Sequence, residues 1–143
     1  MSYSGALTEI KALVEGISAD PPWRYVERGD LEEEPGATYT ARRFTIEDAG
    51  GVVAGPLTGP GSGEWMESRN FNILVTYPRQ GKHSVKEFSI HDDHKAMRDV
   101  LTNRAGWAGS SHICAVLLDG NIAITRRGPV WRATMSFKAV IRA

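Results

Sequence analysis

The sequence predicts an α+β fold: a mainly antiparallel sheet of about four to five strands, with two helices packed on one face. Two observations carry this. In the stretch Val130 to Arg142, Trp131, Ala133, Met135, Phe137, Ala139 and Ile141 alternate with Arg132, Thr134, Ser136, Lys138 and Arg142, broken only by Val130 and Val140. Side chains on a strand point alternately to opposite faces, so this is a long strand with one face on a core and one largely in water. An antiparallel sheet covered on one side produces that pattern, whereas a parallel sheet buried on both sides does not. Two separate stretches repeat apolar residues at spacings of three and four, the period of an amphipathic helix. The predicted order is α-β-β-α-β-β-β within a single domain spanning 1–143.

The first helix is expected over Ser4 to Ile17. Leu7, Ile10, Val14 and Ile17 form its apolar stripe with Leu13 beside them, and Glu9, Lys11 and Glu15 fill the other side. Ser4 is a candidate cap, and Pro21-Pro22 prevents continuation because proline lacks the donor and clashes with the preceding turn. Trp23 to Gly36 reads as charged and irregular, and its acidic run Glu32-Glu33-Glu34 reads as solvated surface. A first strand follows at about Thr38 to Glu47, with Tyr39, Ala41 and Phe44-Thr45-Ile46.

Asp48 to Gly63, which contains GGVVAGPLTGPGSG, is dense in glycine and proline. That composition opposes helix and central strand alike, so an extended loop joining two strands is expected, open to a neighbouring subunit. It carries neither G-x-x-x-x-G-K-[ST] nor a G-x-G-x-x-G between strand and helix, which removes support for phosphate cradling. Leu57 in this loop, and Trp65 and Met66 just beyond it, are candidate contact residues. Burial of the Trp65-Met66 pair on the chain's own core is the competing reading.

The second strand is Glu67 to Tyr77, with Phe71, Ile73, Val75 and Tyr77 on one face; Pro78 closes it. Phe88-Ser89-Ile90 leads into a second helix at about Asp92 to Asn103. Asp92 and Asp93 would sit in its first turn, Ala96, Met97, Val100 and Leu101 make its stripe, and Gly106 stops it. Ile113 to Leu118 is apolar on both faces and reads as a covered central strand. Asp119-Gly120 is a two-residue hairpin signal leading to Asn121–Thr125, and Gly128-Pro129 turns the chain into the final strand.

Composition bounds the function. With 143 residues, 41% apolar and 24% charged, the chain has the make-up of a globular domain large enough for a core without staples. Seventeen basic residues balance seventeen acidic ones, which removes the usual electrostatic case for nucleic acid or anionic membrane as a main partner. Cys114 stands alone, so no internal disulfide framework exists, and its apolar neighbours mark it as a small buried hydrophobe. No apolar run approaches the ~20 residues that span a bilayer, and no signal-peptide core is present, so no membrane association is expected. The expected compartment is reducing cytosol or a particle assembled there.

The cluster His91-Asp92-Asp93-His94 comes nearest to a chemical site. Residues three apart share a helix face, so both histidines could in principle hold one metal ion. No H-E-x-x-H or second carboxylate motif completes the set, and a polar helix start explains the same letters. Ser110, Ser111 or Cys114 near His112 would need an oxyanion hole, and no G-x-S-x-G elbow is present. No cofactor is expected. Arg42-Arg43 and Arg126-Arg127 are candidate anion contacts. Solvated strand ends are their simplest reading, with inter-subunit salt bridges or contact with passing DNA as the sharper ones.

As a whole the chain resembles the small tail-terminator (neck) proteins of long-tailed bacteriophages. The resemblance lies in the layout: the Ser4–Ile17 helix, the "ARRFTIE" run, a glycine-rich loop, the "SRNFNILVTYP" strand, the "HDDHKAMRDVLTN" helix and the closing strand "VWRATMSFKAVIRA". It implies an α+β subunit of a hexameric ring that caps the tail tube, halts its polymerisation and joins tail to head. Its partners would be copies of itself, the tail-tube protein and a head-completion or connector protein, with DNA passing through the lumen unread. The implied location is the virion neck, assembled in the host cytoplasm, and no catalytic residues are implied. Other connector or tail-completion proteins share this reading. A small metal-dependent enzyme using His91 and His94, and a monomeric ligand-binding domain, are the alternatives from other classes.

Overall fold

A computed structural model describes residues 3–28, 41–56 and 65–142. The α+β class is observed: two α-helices and a mixed sheet of six strands among the described residues. Helix α1 spans Tyr3–Glu15, and Ala6, Ile10 and Val14 are fully buried. It starts one residue before Ser4, which therefore does not cap it; the Ser4 carbonyl accepts from Thr8 Oγ1 at 2.9 Å inside the first turns.

Strand β1, Trp23–Tyr25, lies in the segment expected to be irregular. It pairs in parallel with β2, Trp23 opposite Arg42 and Tyr25 opposite Phe44. Its aromatic rings hold it there, since Trp23 meets Phe44 and Tyr77 edge-on, and Tyr25 meets Phe44 at 5.6 Å. Three residues after Pro22 are too few to show a period, which is why the sequence pattern conceals it.

Strand β2 spans Arg42–Pro56 and pairs antiparallel with β3, Trp65–Pro78. The expected loop at 48–63 is corrected here, because Asp48 to Pro56 continues the strand. The glycines serve as bulges instead of breaks. Register shifts fall between Asp48 and Gly51 and between Val53 and Gly55, and Gly50 takes φ +103°. A Cβ at Gly51 would lie 2.7 Å from Arg69 Cγ and 2.9 Å from Ser68 O, so the partner strand passes too close for a side chain. Residues 57–64, and Thr38–Thr40 of the expected first strand, lie outside the described residues.

Helix α2 spans Glu87–Leu101, five residues ahead of expectation, so Phe88, Ser89 and Ile90 are helical and Asp92 and Asp93 fall beyond the first turn. Gly106 does not stop it. The helix ends at Leu101, and Gly106 lies in a 3₁₀ turn, Arg104–Trp107, whose Trp107 indole donates to the Leu101 carbonyl at 2.6 Å.

The last three strands also differ from the expected meander. Strands β4 (Ile113–Leu118) and β5 (Ala123–Arg127) do not pair with each other; both run antiparallel to the same side of β6, Val130–Arg142. They are collinear pieces of one edge strand. Asp119–Ile122 bulges out between them, with Gly120 at φ +90° and the Asp119 N–H bonded to the Ser136 carbonyl at 3.0 Å. Asp119-Gly120 is therefore a kink in an edge strand and not a hairpin. β4 is likewise not central, since the strand order is β1-β2-β3-β6-β4.

One face of the sheet carries Phe44, Phe71, Ile73, Val75, Tyr77, Ala133, Met135, Phe137, Ala139 and Ile141, all buried. Both helices pack there, adding Ala6, Ile10, Val14, Ile90, Met97 and Leu101 to a single cluster. The other face carries the alternate residues, among them Arg43, Glu47, Asn72, Arg132, Ser136 and Lys138. The alternation along β6 is thus the physical boundary between core and polar face.

Candidate assembly surfaces

Among the described residues, two sides of the sheet end in open backbone. β1 flanks β2 only from Arg42 to Phe44. Beyond that point β2 runs on to Pro56 with no strand on its outer side among the described residues, forming an arm backed by β3 and β6. Arg69 fixes the arm. Its guanidinium bridges Asp48 at 2.7 Å and Glu67 at 2.5 Å, and these two carboxylates hold it firmly charged. At the opposite side β4 is the edge, and its Leu117 and Leu118 are 49% and 41% exposed. Phe88 on α2, 66% exposed, is the other large apolar side chain that is mostly exposed among the described residues.

The seven candidate contact residues are scattered. Arg42 is buried and serves the fold: its Nε donates to Asp93 Oδ2 at 2.7 Å, and Nη1 donates to the Pro21 carbonyl at 2.5 Å. Trp23 and Tyr77 stack around it, each ring centroid 5.9 Å from its Cζ. Reading Arg42 as a solvated strand end is corrected by this ion pair, whose partner stands 51 positions away in sequence. Arg43 lies on the opposite face and is half-buried. Met66 is half-buried opposite Gly55 and Arg142, and the backbone of Trp65 pairs with Pro56. Leu57 lies outside the described residues. Arg126 and Arg127 are exposed beside the β5–β6 turn. The structure thus places Trp65 and Met66 at the start of β3, beside the arm, sets Arg126 and Arg127 on the β4–β5 edge, and leaves Arg42 inside. Leu117 and Leu118 were missed, because a run apolar on both faces reads as a covered strand.

Several polar side chains in and beside these clusters make contacts within the fold. No group of three or more His, Cys, Asp or Glu arranged for a metal is found among the described residues. Ser110 Oγ accepts from the backbone N–H groups of His112 (3.1 Å) and Ile113 (2.9 Å) and donates to Glu9 at 2.6 Å, tying the start of β4 to α1. His112 packs so closely on α1 that a Cβ at Gly5 would fall 2.8 Å from its ring. Tyr77 is buried beside Asp93, and burial first, then that carboxylate, push its hydroxyl well above its usual range.

His94 sits half-buried with its ring 6.2 Å from Phe137. Burial, then the charges of Arg98 and His91, lower its pKa below 6.5. The folded state therefore disfavours the proton that the unfolded chain accepts. This stability is fully present above the unfolded pKa and is lost as pH falls from there through the lower folded pKa. Denaturation midpoints compared at pH 7.5 and 5.5 should drop on acidification, and less so in His94→Gln. Equal drops in both proteins would show that His94 does not carry the dependence.

No helix among the described residues is long and apolar enough to cross a membrane. No known family model matches the chain, and a search of curated proteins finds no match.

Proposed function

We propose that this chain is a structural subunit that assembles with copies of itself into a ring, as its resemblance to phage tail terminators implies. The ring caps the tail tube, stops its growth and joins tail to head, with DNA passing through the lumen. One observation supports this reading above others: among the described residues the sheet is open at both sides, along the β2 arm and along β4. Two different open surfaces on one subunit favour head-to-tail contacts, which close into a ring when the rotation between copies allows it. Balanced charge adds no long-range repulsion between copies.

Mass in solution tests it directly. Light scattering should return a multimer, with six times 15.7 kDa, about 94 kDa, as the value the resemblance implies, and electron microscopy should show annular particles. Added to polymerising tube protein of the same phage, the ring should shorten the tubes. A monomer at every concentration that leaves tube length unchanged would overturn the reading.

A further inference from the structure

Hydrogen-bond register links every strand of the sheet into rows, and the rows locate the open edges relative to one another. Val53, Glu67, Ile141 and Ile113 share one row. Val52, Ser68, Val140 and Ala115 share another, and Asp48, Phe71, Phe137 and Leu118 a third. β4 therefore occupies the same level of the sheet as the part of β2 that β1 does not flank. The other half of each edge matches as well, because Tyr25, Phe44, Val75, Ala133 and Ile124 form one row, placing β1 level with β5.

Strand direction fits too. β2, β3, β6 and β4 alternate, so β2 and β4 run in opposite directions. A second copy set beside the first in the same orientation places its β2 arm antiparallel to β4, extending the alternation across the junction. Side-chain chemistry also points to β4. Soluble proteins guard open strands with charge or proline, and Arg126 and Arg127 supply charge on β5. β4, Ile-Cys-Ala-Val-Leu-Leu, has neither, and Leu117 and Leu118 protrude from it. On the arm Asp48 is paired with Arg69, which holds its carboxylate against the neighbouring strand.

We propose that β4 of one copy adds to the outer edge of the β2 arm, Asp48–Pro56, of the next, so that the sheet runs continuously from subunit to subunit. This rests on the self-assembly reading above and names the surfaces that join. Cys114, the chain's single cysteine, lies in β4 between Ile113 and Ala115, whose rows end at Val53 and Val52.

The test introduces Val52→Cys and Val53→Cys separately, checks folding by circular dichroism, and oxidises each multimer with copper phenanthroline. Because successive positions of a strand alternate between its two faces, one variant should give a ladder of disulfide-linked species well beyond the dimer. The ladder should vanish with Cys114→Ser. Leu117→Lys, on an exposed position, should dissociate the multimer while the fold persists. Three outcomes would overturn the proposal. Wild-type protein cross-linked through Cys114 as a dimer alone would show β4 pairing with β4. A multimer that neither variant cross-links and Leu117→Lys leaves intact would place the ring contact elsewhere, sparing the ring itself. A monomer throughout would end both readings.

Discussion

Replacing Asp93 by alanine should lower the unfolding free energy by about 3–5 kcal/mol, a fall in melting temperature of about 10–15 °C. The Arg42 and Asp93 side chains are 7% and 13% exposed, so the truncation strands a guanidinium in the interior without its carboxylate. The Pro21 carbonyl and the Trp23 and Tyr77 rings still attend it, but none supplies a negative charge. The pair also joins β2 to α2, so its loss loosens the layer contact as well as the charge balance. Replacing both partners, Arg42→Met with Asp93→Leu, should cost far less than Asp93→Ala alone, because no buried charge remains. Chemical denaturation of the single and double variants reads the difference. A loss for Asp93→Ala below about 1 kcal/mol, the range of exposed pairs, would show that water reaches Arg42.

Phe137→Ala should cost a similar amount, about 3–5 kcal/mol. The side chain is fully buried in the middle of β6, stacked on Phe71 at 5.7 Å and flanked by His94. Deleting the ring removes apolar burial and leaves a cavity, since β3 and β6 are held in register on either side of it. A second readout follows from the neighbour. Water admitted beside His94 restores solvation to its imidazole, so the histidine pKa should rise towards the ordinary value, measurable by NMR titration. Unchanged stability would mean that the surrounding chains close over the gap.

What was legible in the sequence was periodicity. The core stripe of β3 and the alternation of β6 answer to spacing along the chain and pack as their patterns require. In α1, Ile10 and Val14 are buried as expected, Ala6 joins them, and Leu7, Leu13 and Ile17 lie at the margin of the core. Features set by partners distant in sequence were not legible. Arg42 reads as a surface cation until Asp93 is found beside it, and Trp23 reads as part of a charged linker until Phe44 and Tyr77 enclose it. Glycine misled in two places for one reason. Gly50 and Gly51 accommodate a bulge and a close strand crossing, and Gly120 a kink in an edge, yet local composition treats all three as chain breaks. The exposure of Leu117 and Leu118 was hidden for the same cause, because it depends on which strand lies outermost, and no local window contains that.

The junction of β3 with β6 runs unbroken from Met66–Arg142 to Pro78–Val130. Tension applied along these two strands in opposite senses would load all of those bonds together, in shear. The β5–β6 turn, pulled open from its tip, would instead unzip bond by bond. The molecule should thus be mechanically anisotropic, stiffer to shear along its strands than to peeling at the Gly128-Pro129 corner, where Arg79 bonds to both turn carbonyls.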